Sequence, residues 1–212
     1  MKILRSALDV VRDARRPFMI LHLTYYGIVV LAMVFTVFNR SLQQQLLDSI
    51  GEAFSQGPLA PVWDAYAGGQ VLMAVALTFL INLVLASFMT ITLPSLVIPF
   101  SGFIMGGLRA ATWGLLFSPE LQGVSAAEAA AGAFVAVLVL LEGEGYVLAL
   151  LAAFVHGRAF LWPGRVGAEN HKQGYWLGLK RSARIYLLVA IVLLVAAVYE
   201  VLVVVVALPR IT

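Results

Sequence analysis

Five stretches of the chain are apolar with few interruptions: residues 17–38, 71–90, 102–118, 132–155 and 185–208. A helix that crosses a bilayer needs about 20 such residues. The third run is short and broken by glycines. The pattern predicts an all-α integral membrane protein with about five transmembrane helices, forming a single membrane domain over residues 1–212. Two segments outside these runs have a helical period of their own. Leu4, Ala7, Leu8 and Val11 fall on one face, with charges elsewhere. This predicts a cytoplasmic interfacial helix over residues 1–16, ending where the chain turns in at Pro17. In "SLQQQLLDSIGEAF", Leu42, Leu46, Leu47, Ile50 and Phe54 share a face behind Ser41 as N-cap, so an external helix is expected within segment 39–70. The following "SQGPLAPVWDAYAGG" reads as a loop from its glycines and prolines.

Between the second and third runs, "SFMTITLPSLVIPFSGFIMGGLRAATWG" carries Pro94, Pro99, Gly102, Gly106 and Gly107. This Pro/Gly-broken segment has two open readings. One is a tight cytoplasmic turn between ordinary helices. The other is a re-entrant element lining a cavity, since non-helical backbone at membrane depth survives only where protein or water covers it. Gly102-x-x-x-Gly106 also matches the small-xxx-small pattern of close helix packing.

Composition turns the membrane reading into a requirement. The chain is 62% hydrophobic and 12% charged, with mean hydropathy +0.96, whereas soluble domains are about 45–50% apolar and about 25% charged. There is no cysteine, which excludes disulfides and thiolate sites. His22, His156 and His171 lack ligand spacing, so no metal and no cofactor is expected. No nucleophile–base set stands out, so no catalytic residue is assigned and no enzyme is expected. The net charge of +3 comes from basic residues beside the apolar runs, which speaks for topology and against a nucleic-acid partner. Eleven lie in residues 1–16 and 156–184. Two, Arg40 and Arg210, lie in the segments expected on the other side. This bias predicts a multi-pass protein of the cell inner (cytoplasmic) membrane, N-terminus cytoplasmic and C-terminus outside, with a basic cytoplasmic loop at 156–184. Tyr25, Trp63, Trp113, Trp162 and Trp176 stand near the expected boundaries, as interfacial anchors do.

The remaining charges lie inside the runs: Arg109, Glu142, Glu144 and Glu200, with the amide Asn82 in run two. Such groups are expensive in hydrocarbon and face protein or water. Residues two apart on a helix point about 200° apart, which separates the two glutamates of "LVLLEGEGYVLALL". Glu142 shares a face with Gly145, Tyr146 and Ala149, a small face with one hydroxyl. Glu144 shares one with Leu140, Leu141, Val147 and Leu148, a face suited to lipid or another apolar surface. The expectation is an intramembrane polar cluster of Asn82, Arg109, Glu142 and Tyr146, with Arg109 as counter-charge to Glu142. Glu144 is expected at a contact with another chain.

These residues carry a resemblance. "FLINLVLASFMTITLPSLVIPFSGFIMGG" resembles a segment of the stage II sporulation protein M family of multi-span membrane proteins. There, asparagine precedes a Gly- or Pro-broken apolar stretch leading to an Asn-Gly or similar dipeptide. Asn82 matches the asparagine, and Ser101-Gly102 stands at the dipeptide. "LEGEGYVLALLAAF" resembles the family's later helix, with Glu142, Tyr146 and Ala149 at matching positions. Leu138 and Val139 stand where many members carry His-Gly. The resemblance implies a non-enzymatic membrane subunit or scaffold of an envelope complex, with protein partners or a homo-oligomer in the lipid bilayer. The rival reading from the residues is a permease-like transporter component moving a small solute, proton or lipid past Asn82, Arg109 and Glu142, in the manner of the permease half of an ATPase-coupled exporter.

Overall fold

The computed structural model describes residues 2–57, 59–119 and 125–207, and every regular element among them is helical. Four helices are long and apolar enough to cross a membrane: Arg15–Val37, Val71–Val97, Glu128–Leu161 and His171–Val205. The chain is a multi-pass membrane protein. Its outward faces carry the apolar side chains that lipid requires; Leu23, Leu31, Leu72 and Ile104 are all largely exposed. The end of the fifth run, Arg210 and the expected external C-terminus lie outside the described residues.

The N-terminal segment is helix α1, Lys2–Asp13. Ala7, Val10 and Ala14 are its buried positions, and it packs on the last long helix. Leu4 and Leu8 form an exposed apolar flank of this helix. Helix α2, Arg15–Val37, follows after Ala14 with Pro17 in its first turn, where a missing backbone donor costs nothing.

Helix α3, Arg40–Ser55, starts one residue before the expected Ser41 cap. Asn39 takes the cap position and turns its amide back to the Phe35 carbonyl at 3.0 Å. The segment read as loop contains helix α4, Ala60–Ala67, with Pro61 in its first turn. Its proline marks a helix start, and Val62 and Ala65 are buried, so packing prevails over the loop-like composition.

The second run is continuous. Helix α5, Val71–Leu80, widens into a π-helical stretch over Ile81–Thr92 and closes with α6, Leu93–Val97. The Ser87 and Thr90 hydroxyls donate to the Asn82 and Ala86 carbonyls at 2.8 and 2.5 Å, pairing acceptors along the widened stretch. The chain reverses past Pro94, at residues 98–101. Ile98 is extended, as the residue before a proline prefers. Phe100 takes φ +70°, a left-handed conformation costing about 1–2 kcal/mol. Its ring packs among Phe103, Phe154 and Trp162 and over Gly157, where a Cβ would meet it at 2.9 Å. The backbone of this segment is a turn between two helices.

Helix α7, Gly102–Leu116, is about 22 Å long at 1.5 Å per residue, short of a full hydrocarbon crossing. Gly102 packs on the Ile91 carbonyl, Gly114 on the Val29 carbonyl of α2, and Gly106 on Leu150. Its end is capped from outside. Gln43 donates to the Leu116 carbonyl at 2.9 Å, and Arg40 donates to the Ser118 and Pro119 carbonyls at 3.2 and 2.7 Å. Cationic and amide donors thus pair acceptors that a helix C-terminus leaves free.

Helix α8, Ala126–Leu161, begins with a capping box, Ser125 and Glu128 each bonding the other's backbone N–H. Helix α9, His171–Leu202, begins with the Asn170 side chain accepting from the Gln173 N–H. Together they form the central hairpin. The buried seam of α9 runs Gly174, Gly178, Ser182, Ile185, Val189 and Leu193, and the Ser182 hydroxyl donates to the Ala152 carbonyl at 2.7 Å. The expected basic loop 156–184 is mostly helix, turning only over 162–170. Hydropathy misses this because the helices continue on small residues and Lys/Arg/Gln, all compatible with helix. The two basic segments meet at one end of the bundle, α1 against α9; α3 and α4 lie at the other.

The Gly114 contact gives a test. Gly114→Ala places a methyl against the Val29 carbonyl and the Ala32 side chain and should destabilise by about 1–3 kcal/mol. Gly107→Ala meets only Ile28 at 3.8 Å and should leave stability equal or higher, because alanine favours the helix. Thermal unfolding of both variants in detergent measures the contrast.

Candidate functional site: a polar cluster inside the bundle

Tyr146, fully buried on α8, is the hub of the intramembrane polar groups. Its hydroxyl accepts from Arg109 Nη2 at 2.7 Å. It has one proton to give, and two acceptors stand ready: Asn82 Oδ1 at 2.9 Å and Glu142 Oε2 at 3.0 Å. Asn82 Nδ2 in turn donates to Glu142 Oε1 at 2.8 Å. Glu142 is 2% exposed, so both carboxyl oxygens are hydrogen-bonded within the protein. The π-helical stretch brings Asn82 to this point, α7 brings Arg109, and one turn of α8 separates Glu142 from Tyr146.

The structure thus brings Asn82, Arg109, Glu142 and Tyr146 together, but not as the expected ion pair. Among the described residues Arg109 has no carboxylate within 4 Å. It reaches Glu142 through the Tyr146 hydroxyl. The guanidinium also lies over the Tyr146 ring at 4.5 Å and near Trp113 at 6.0 Å, a cation–π arrangement that is strongest where water is scarce. Its Nε has no partner. Tyr25, expected at the interface, is buried in the core, and Trp113 is half-buried against that core.

Glu144 sits elsewhere. Its carboxylate hydrogen-bonds His22 Nε2 of α2, a partner within the same chain. The face it was assigned to is not a lipid face throughout. Leu140 is exposed, but Val147 and Leu148 are buried, because α8 is surrounded by α2, α7, α9 and the π-helical stretch.

Sequence reasoning left one carboxylate without a place. Glu200 of α9 borders the same void as Glu142 and, with Tyr66 of α4, an adjoining one. Tyr66 also bonds Thr78 Oγ1 at 3.0 Å. The signal was available: a lone carboxylate in a valine-rich run needs a partner, and three helices offered one. His156 was missed as well. It is fully buried, edge-on to Tyr175 at 4.6 Å, with neither ring nitrogen hydrogen-bonded.

The cluster faces space. A cavity of about 360 Å³ is lined by Asn82, Arg109, Glu142 and Glu200, with Thr112 and Leu138 on its walls and Ile50 and Phe54 of α3 at its outer end. A second, of about 490 Å³, adjoins it through Ile50, Phe54 and Glu200 and is walled by Trp63 and Tyr66. The arrangement offers a cation, two carboxyls and an amide around one void, reached from the α3–α4 end. Among the described residues no group of three or more His, Cys, Asp or Glu side chains could hold a metal ion. No family model, curated protein or solved structure matches the chain.

Tyr146→Phe tests the hub. It keeps the ring under Arg109 but removes the one atom that joins Arg109 to Glu142 and Asn82. A melting temperature lowered by the equivalent of about 1–3 kcal/mol is expected, the cost of leaving buried partners unpaired. An unchanged melting temperature in detergent would show that the network does not depend on this hydroxyl.

Proposed function

We propose that the chain is a permease-like membrane component whose inner cavity receives a small polar solute or a proton from the α3–α4 end. The single observation carrying this is the 360 Å³ void lined by Asn82, Arg109, Glu142 and Glu200. Ionisable groups at membrane depth are rarely kept without use. A purely structural clamp would close over them. Here they border open space, at the helix stretch whose hydrogen bonding departs from the α pattern, as functional sites often do. By the positive-inside bias, the end where α1 meets α9 is cytoplasmic and the α3–α4 end is external. Helix α7 then serves as a short fifth crossing, its C-terminus held by Arg40 and Gln43.

A second reading, a subunit or scaffold similar to the stage II sporulation protein M family, draws on a different observation. The outward side of α2 forms an apolar groove over Phe18, Met19, Leu23, Tyr26 and Leu31, with His22 in it. The Glu144–His22 pair beside this groove is part-exposed, 38% and 23%. A polar pair on a lipid face is costly; a partner chain covering it would remove that cost. Under this reading Glu144 is the partner contact.

The absence of cysteine makes the cavity directly testable. Thr112→Cys and Leu138→Cys line it, Gln44→Cys lies on exposed α3, and Leu23→Cys faces lipid. A membrane-impermeant thiol reagent applied from outside should label the two cavity positions and Gln44→Cys, and spare Leu23→Cys. Labelling of Gln44→Cys alone would leave no water-accessible route to the cluster and overturn the permease reading.

A further inference from the structure

At the opposite end of the bundle a separate cavity of about 310 Å³ opens between α1, the end of α8, the 162–170 turn and α9. Arg158, Arg165 and Arg181 line it, facing Asp13 of α1, and its floor is apolar, formed by Val10, Ala14, Phe154 and Val155. Among the described residues none of these three arginines has a carboxylate within 4 Å or a side-chain hydrogen bond. Arg165 lies against the Trp162 ring at 5.6 Å. Three guanidiniums around one void repel each other, and one aspartate does not balance them.

We infer that this cavity binds the phosphate of an anionic phospholipid from the adjoining leaflet. Guanidinium forks match phosphate oxygens two at a time, and three of them converge from three chain elements that no covalent neighbour relation holds together. A free phosphate would satisfy the charge but not the floor. The apolar residues beneath the arginines continue into the bundle core, and the exposed flank of α1, Ile3, Leu4 and Leu8, lies on the same helix. A basic rim over an apolar floor suits a headgroup whose chains enter the bilayer beside α1. Bound there, the lipid would tie α1 to the α8–α9 hairpin. Asp13 opposes the anion and limits its affinity.

The full chain in neutral detergent tests this by thermal unfolding with three probes: short-chain phosphatidylglycerol, short-chain phosphatidylcholine and inorganic phosphate. Phosphatidylglycerol alone should raise the melting temperature, by about 5 °C at saturating lipid. The shift should vanish in Arg158→Gln/Arg181→Gln, persist in Arg184→Gln, which removes an exposed charge outside the cavity, and grow in Asp13→Asn. Should the double variant fail to fold, the Asp13→Asn and Arg184→Gln arms still decide. A shift produced equally by inorganic phosphate or by phosphatidylcholine, or one lost in Arg184→Gln and unchanged in Asp13→Asn, overturns the inference.

Discussion

A carboxyl group at the middle of a membrane helix has to find its hydrogen-bond donors inside the protein. Glu142 finds them in Asn82 and Tyr146, and much of the bundle follows from meeting that demand. The second long helix must present Asn82 at the right depth. It does so within a stretch of π-helical turns, whose extra residue per turn alters which residues face α8. Helix α7 must bring a cation close without closing the space. It carries Arg109, whose reach to the Tyr146 hydroxyl and ring neutralises the neighbourhood from one turn away. Replacing a buried network by apolar packing is often neutral or stabilising, so stability alone does not explain why this one is kept.

Close packing by small residues makes the arrangement rigid. Gly114 lets α7 touch the backbone of α2, Gly102 folds it onto the preceding helix, and Gly145 accepts Leu193 of α9. In lipid, with little hydrophobic drive between helices, such contacts and interhelical hydrogen bonds supply the association. The two ends of the bundle differ in kind. One is basic and bears the extended α8–α9 hairpin with α1 across it. The other is covered by α3 and α4, where Gln43 holds the last carbonyl of α7 and Arg40 the carbonyls just beyond it. The polar cluster lies between them, and its space opens past α3 and α4.

Much of this was legible in the sequence, for stated reasons. Hydropathy marked the long helices because lipid imposes one rule on all of them. The 200° between Glu142 and Glu144 separated an inward group from an outward one. What stayed illegible depended on geometry between segments. Nothing local says that Tyr146 stands between Arg109 and Glu142, that Glu144 meets His22, or that Glu200 shares a void with Glu142. Pro94 looked like a break, yet the helix runs through to Val97 and the chain turns at Pro99 instead. The length of α9 was hidden because its first turns pack by glycine and serine rather than by apolar bulk. Helix α4 was hidden by a proline that starts it.

The central claim is that Glu142 and Arg109 belong to one network joined through Tyr146, and a double-mutant cycle tests it most directly. Glu142→Ala, Arg109→Ala and the double variant are compared with the parent chain by thermal unfolding in lipid nanodiscs. Each single change removes one member of a buried hydrogen-bonded network and should cost about 1–3 kcal/mol. The double variant should recover part of that loss, giving a coupling of about 0.5–3 kcal/mol. Strictly additive losses would contradict the account.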